Sequence, residues 1–369
     1  MDFRSFRISV SKLSFRATSP ALSLALFVVI LGATSGCNNE PMTAPSEVIR
    51  NRVAAIRAEP PEISLGESTT LSALLVHPDP IPPALGQVWF ACLETSSATG
   101  CLDMDFSSLG EGTEGGGDDE SPPLQFGLGP SFEYRAEGSD VETAWEALEA
   151  EDRIEGLTVL VSVAYVEATN EELLALFASF ATGDAETIAD AQQQIESLMS
   201  EAILAARRIV ISDKSGGQPD SIACEVSELI PNFNPSLQRL RGHLDSKGRD
   251  SGIELDDVTF AEPGDTLVLR PQLMDGSAEP YLFINRDGET ECRKEAPYFA
   301  WLSNGGSHNG DYSFTADLED LDETPGRPKV HSFVLPGEDD FTRPIDLWVV
   351  VRDRRGGVDW RKWSFSQVP

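Results

Sequence analysis

The chain has 369 residues, of which 61 are Asp or Glu and 28 are Lys or Arg, for a formal charge of −33 at neutral pH. That balance excludes a general nucleic-acid binder, which needs clustered basic groups to displace counterions from phosphates. It also excludes attachment to an anionic bilayer through a basic patch, while a 40% hydrophobic content and this length suit a folded protein of two domains.

At the start of the chain, Arg4, Arg7, Lys12 and Arg16 precede the apolar run Ala21–Ala33 and the small residues Thr34-Ser35-Gly36-Cys37. Basic, apolar and small residues in that order predict a secretory signal. The apolar run is 13 residues long. As a helix it would cover about 20 Å of a roughly 30 Å hydrocarbon layer, too little for a permanent span. Thr34 to Cys37 resembles a bacterial lipobox, with Thr34 standing where the motif has Leu. The resemblance implies a signal peptide over residues 1–36, cleavage before Cys37 and lipid attachment at the Cys37 thiol. Ordinary secretion with a cut after Ser35 is the alternative. Without residues 1–36 the chain keeps 24 basic and 60 acidic residues. Membrane attachment is therefore expected from acyl chains alone. Asn38 after the anchor, in place of Asp, implies transfer to the outer membrane. Residues 37–50 are polar and Pro-containing, as a tether would be.

Residues 51–213 read as a β-sandwich. Short strands are expected at Arg52–Ala58, Ile63–Glu67 and Ser68–Val76, the last with Leu71, Ala73 and Leu75 alternating against its other residues. Val88–Cys92 carries Trp89 close to Cys92, and an immunoglobulin-like sandwich places a core Trp on its third strand in this way. Gly-rich acidic sequence at 110–120 predicts a flexible loop. Strands resume at Ser131–Arg135 and Gly156–Val166. The second is rich in Val and Leu on both faces and should be the most buried strand of the domain. Thr169 and Glu172 form a capping box ahead of Leu173, Leu176 and Phe177. Asp184 can cap a second helix whose Ile188, Ala191, Ile195, Leu198, Met199 and Ala202 share a face. The pattern predicts an α-helical hairpin at about 170–206, inserted before a closing strand at Arg207–Ser212 and packed against the sheet or on itself.

A linker is expected over 214–235, and a second sandwich over 236–369. Its strands are predicted at Leu255–Phe260, Thr266–Leu273, Tyr298–Leu302, Lys329–Leu335, Ile345–Arg352 and Val358–Phe365, with Trp301 in the place of Trp89 and a terminal hairpin through Asp353–Gly357. The fold class is therefore mainly β, two tandem immunoglobulin-like β-sandwich domains, the first with the helical hairpin.

The run Arg52–Glu62 with Gly66, the Trp89-x-x-Cys92 spacing, Asn234–Leu237, Trp301 and the ending Val349–Trp360 resemble lipoproteins of myxobacteria and related deltaproteobacteria that carry immunoglobulin-like domains. The resemblance covers most of the mature chain. It implies the same fold and a lipid anchor, and it transfers no catalytic residues.

Four cysteines follow Cys37: Cys92, Cys101, Cys224 and Cys292. In an oxidising compartment they read as two disulfides with three possible pairings, of which a local Cys92–Cys101 clasp and a longer Cys224–Cys292 tie are favoured. No zinc spacing, nucleophile elbow or phosphate loop is present. Asp103, Asp105, Ser107, Glu111 and Glu114 match positions 1, 3, 5, 9 and 12 of a calcium loop, but Ser108 replaces the Gly of the sixth position. Calcium is thus the only cofactor the residues suggest. The functional expectation is a non-enzymatic binding or scaffolding lipoprotein of the cell envelope, facing an envelope protein or polysaccharide partner. The alternative is a secreted or anchored hydrolase using two of its many carboxylates.

Overall fold

The computed structural model describes residues 44–79, 84–93, 125–149, 152–182, 184–214, 231–244, 253–255, 258–278, 280–284, 290–314 and 331–368. The signal peptide, Cys37, the calcium-loop residues Asp103, Asp105, Ser107, Glu111 and Glu114, and most of the 214–235 linker lie outside them. From Ala44 onward the chain forms one compact unit.

The first half is built from β1 (Arg52–Glu59), β2 (Glu62–Ile63), β3 (Ser68–Val76), β4 (Gly86–Leu93), β5 (Gln125–Leu128), β6 (Ser131–Arg135), α1 (Ser139–Ala147), α2 (Asp152–Glu155), β7 (Leu157–Val166), α3 (Asn170–Thr182), α4 (Ala185–Ser200) and β8 (Ile203–Ile211). The strands make two sheets, ordered β1-β3-β6 and β2-β8-β7-β4-β5. Side-chain alternation decides what each face meets. On β4, Trp89 and Ala91 enter the core between the sheets, while Val88 and Phe90 point outward. On β7, Val159, Val161, Val163 and Tyr165 face that core, and Ala164 and Val166 face out. The outward row is covered by α3 and α4 through Leu173, Phe177, Leu198 and Met199. β7 is therefore buried on both faces, as its composition predicts.

The helices start where their caps are. Glu172 Oε2 accepts from the Thr169 backbone N–H at 2.7 Å, and the Glu172 N–H donates to Thr169 Oγ1 at 3.2 Å. Asp184 Oδ1 accepts from the Thr187 N–H at 2.9 Å. The end of the pair departs from the expected 206. Helix α4 stops at Ser200, and the closing strand starts at Ile203 rather than Arg207. Ala202 thus leads into a strand. The β-branched and alternating Ile203, Ala205, Arg207 and Ile209 outweigh the helical period there.

The second half contains β9 (Leu237–Leu244), β10 (Ile253–Glu254), β11 (Val258–Ala261), β12 (Thr266–Leu273), β13 (Pro280–Ile284), β14 (Thr290–Lys294), β15 (Tyr298–Ser303), β16 (Ser307–His308), β17 (Tyr312–Phe314), β18 (His331–Val334), β19 (Ile345–Arg352) and β20 (Val358–Gln367). Its sheets run β10-β9-β12-β18-β16 and β11-β20-β19-β15-β17, with β13-β14 as a separate ribbon. The expected strand at Leu255–Phe260 is shorter than predicted: β10, paired with β9, ends before it at Glu254, and β11, paired in parallel with β20, starts at Val258. β9 lies outside the expected strands, because its leucines, Leu237, Leu240 and Leu244, are three and four residues apart and show no period of two.

The two halves share one strand order. β1-β3-β6 corresponds to β9-β12-β18, and β2-β8-β7-β4-β5 to β11-β20-β19-β15-β17. Each half has a parallel pair at the same place, β2 with β8 and β11 with β20. Each also has a fully buried Trp on the corresponding strand, Trp89 on β4 and Trp301 on β15.

Candidate functional site

Three groups of residues carry chemistry: a buried charge network between the halves, a histidine chain in the second core, and a cleft beside the network.

The network centres on Glu62, whose side chain is 4% exposed. It meets Lys214 Nζ at 2.5 Å and Arg355 at 3.6 Å, accepts from the Asn232 N–H at 2.8 Å, and is hydrogen-bonded by the Ser212 hydroxyl. Arg355 continues to Glu295 at 2.8 Å and lies over the Tyr281 ring. Two acids thus face two bases, so the burial is compensated. The β19–β20 turn supplies the second anchor. Asp353 Oδ1 accepts from the backbone N–H groups of Arg355, Gly356 and Gly357 at 2.7 to 2.9 Å, and Asn232 Nδ2 donates to Oδ2. Gly357 is required there: a Cβ would strike the Asp353 carboxylate and stand 2.7 Å from the Phe233 carbonyl. Asn234 bridges the halves too, donating to the Ala58 carbonyl and accepting from the Val358 N–H. An apolar seam of Ala55, Val76, Leu302, Trp348, Val350 and Val358 lies between the same strands. Val48 joins this seam, and Ser46 and Val48 pair with Ser303, so the last residues of the segment read as a tether dock on β15.

In the second core, Ser303 Oγ lies 2.8 Å from His308 Nε2, and His308 Nδ1 lies 2.8 Å from His331 Nε2. The His331 ring stacks on Trp301 at 4.0 Å. Burial pushes His308 down to about 4 and His331 to about 3, so both are neutral at ordinary pH. The order Ser–His–His resembles a nucleophile relay, but Ser303 is 2% exposed and roofed by Ser46–Val48. Without access for a substrate the chain is a structural hydrogen-bond network. No spacing in the sequence joins these histidines. They are 23 residues apart and meet only because β16 pairs with β18.

The cleft, about 410 Å³, opens between β1, β8 and the β19–β20 turn. Arg207, Arg208, Arg352 and Arg354 line it with Tyr298, and among the described residues no carboxylate does. Arg207 donates to the Ile56 and Gly356 carbonyls, and Arg352 to the Ala54 carbonyl at 2.6 Å. Ala54 and Ile56 lie on β1, an edge strand of its sheet, so two guanidiniums cap that open edge. Arg207 Nε is buried with no partner, and burial lowers the Arg207 pKa to about 10 against the pull of Asp353. Arg354 has a backbone φ of 74°, a left-handed value unusual for a residue other than glycine, and its guanidinium lies 5.9 Å from the Tyr298 ring centre. The cavity beside Cys92, with Glu137 and Asp140 in its lining, is about 80 Å³ and too small for a sugar.

Cys92 is disulfide-bonded. The side chains of Cys101, Cys224 and Cys292 lie outside the described residues. Among the described residues no group of three or more His, Cys, Asp or Glu could hold a metal, and no helix is long and apolar enough to cross a membrane.

No family model and no curated protein matches the chain. Solved structures similar to it include Salmonella alpha-2-macroglobulin reacted with methylamine (9% identity, 88% of this chain and 17% of that chain, TM-score 0.22) and the native E. coli alpha-2-macroglobulin (8% identity, 86% and 17%, TM-score 0.21). The three N-terminal domains of the bacteriophage RB49 outer capsid protein Hoc are also similar (11% identity, 86% and 100%, TM-score 0.18). The chain spans about a sixth of the macroglobulins' length, and scores this low carry no argument about function.

Proposed function

We propose that this chain is a cell-envelope lipoprotein, anchored through Cys37 in the outer membrane, that acts as a non-enzymatic binding or scaffolding module. Its two halves are tandem immunoglobulin-like sandwiches. Support comes from the strand order, with one sheet of the A-B-E kind and one carrying G, F and C, and from a buried Trp on the C strand of each. The hairpin of α3 and α4 is an insertion between the F and G strands of the first. The Cys92–Cys101 and Cys224–Cys292 pairings belong to the same reading.

The observation that supports a module most is the junction. Two sandwiches joined by a free linker would move independently. Here buried ion pairs and an apolar seam hold them together and shape one cleft between them. Intact mass of the membrane-extracted, full-length protein tests the anchor. A mature chain beginning at Cys37 and heavier by diacylglycerol and fatty acid, with the increment lost in Cys37→Ser, is expected. An unlipidated product cut after Ser35 would overturn the anchor.

A further inference from the structure

We propose that the cavity between the β15–β16 turn and the β18–β19 connection of the second half binds an uncharged sugar through its adjacent hydroxyls, with Asn304, Asp340 and Arg343 as contact residues. The inference rests on the binding-module reading and names the ligand class of that module.

The backbone makes the space. The cavity, about 430 Å³, lies between the turn Asn304–Ser307 and the connection that carries Asp340 and Arg343. A Cβ on Gly305 would stand 2.6 Å from the Ile345 side chain, and one on Gly306, whose φ is 75°, would stand 2.5 Å from the Val334 carbonyl. The middle of the turn thus adds no side chain to the space. The opposite wall is fixed from beneath. Phe341 is 1% exposed in the second core, and the Asp340 and Phe341 N–H groups donate to the Gly337 carbonyl at 3.0 and 2.9 Å. Asp340 and Arg343 are therefore carried on an anchored turn, which lowers the ordering cost of binding.

Polar chemistry selects the ligand. Asn304 is 8% exposed, and its Oδ1 accepts from the Asp346 N–H at 2.8 Å, which fixes the carboxamide. Its Nδ2 is buried without a hydrogen-bond partner among the described residues, in a side chain that lines the cavity. An unpaired buried donor is costly, and a ligand oxygen would satisfy it. The exposed Asp340 carboxylate only accepts, and the Arg343 guanidinium only donates. Arg343 meets Asp79 of the first half at 3.6 Å, but the two side chains are 39% and 78% exposed. Such a pair is solvated and leaves further guanidinium N–H groups for a ligand.

Donors and an acceptor around one space suit hydroxyls, each of which does both. A simple anion would face Asp340, and a simple cation Arg343. A polyanion would also meet the chain's charge of −33 and the run Glu338-Asp339-Asp340. A free amino acid matches the two charges, but it is small for this volume and would leave Val334, Pro336 and Ile345 of the wall wet. A sugar ring covers them with its C–H face.

Isothermal titration calorimetry of the full-length protein, in a polyoxyethylene detergent that carries no sugar headgroup, tests this with maltotetraose, cellotetraose and mannotetraose. Tetragalacturonate is the acidic control, diglycine the zwitterionic one, and product release is followed in the same samples. Asp340→Ala and Arg343→Ala truncate side chains at the surface, so their denaturation midpoints should match the parent's. Saturable binding of at least one neutral tetrasaccharide, little changed by salt and about tenfold or more weaker in both variants, is expected. No saturable binding of any of the three, or binding indifferent to either variant, overturns the site assignment and leaves the module reading standing. Tetragalacturonate or diglycine binding as tightly overturns the uncharged sugar in favour of an anion or a zwitterion. Cleavage of a tetrasaccharide overturns the non-enzymatic reading itself.

Discussion

The two halves repeat one topology around one tryptophan each, but they fill the space beside it differently. In the first, Trp89 donates to the Gly129 carbonyl at 2.9 Å and stacks against Phe132, in a core that is otherwise aliphatic and aromatic. In the second, Trp301 donates to Ser313 at 2.9 Å and stacks on His331, which begins the chain through His308 to Ser303. The same indole thus sits beside an apolar neighbour in one half and a titratable one in the other. Shared strand order fixes where the large ring goes, and local pairing decides the polarity around it.

Five variants separate the contributions, from the largest effect down. Trp89→Ala and Trp301→Ala should each cost about 3 to 5 kcal/mol in chemical denaturation, because each ring is almost wholly buried and leaves a cavity. If the halves are coupled, both variants lower a single shared midpoint. Glu62→Ala should cost roughly 3 kcal/mol or more, by leaving Lys214 and Arg355 buried with one acid fewer. In that variant two transitions should replace one.

Acid should act through the second half. His308 and His331 have folded pKa values lowered to about 4 and about 3 by burial, so the unfolded chain binds protons first as the pH falls. Stability present above about pH 6.5 is lost as the pH drops toward those values, by about 1.4 kcal/mol per pH unit for each histidine. Trp fluorescence of denaturant midpoints at stepped pH measures the slope. His308→Gln combined with His331→Phe should flatten it. An unchanged slope would assign the acid loss to carboxylates. The smallest effect is at the hairpin, where Thr169→Ala removes a cap and should cost about 1 kcal/mol.

Much of the β architecture was legible because alternation and turns are local signals. β3, β7, β12, β15 and β19 lie within a residue or so of their expected bounds. The helix starts were legible through Thr169-x-x-Glu172 and Asp184, whose side chains bond as their spacing implies. β9 and the start of β8 were not, because the leucines of β9 lack a period of two and the apolar Ile203–Ala206 continues the helical pattern that precedes it. Helix α1 is masked by its acidic residues, although Val141 and Trp145, four residues apart, bury one face. The cleft was invisible for a different reason. Arg207 and Arg208 are 144 to 147 residues from Arg352 and Arg354, and nothing in the spacing of arginines says that a turn from one half will close over the edge strand of the other. One faint signal existed: four arginines in two dipeptide-like clusters of a strongly acidic chain.

The charge network and the apolar seam make the two halves one body. Scanning calorimetry of the full-length protein, beside Glu62→Ala, tests this most directly. A single transition with matching calorimetric and van't Hoff enthalpies, split into two by the substitution, is the expected result. Two independent transitions in the unsubstituted protein would contradict it, because the charge network would then not join the halves.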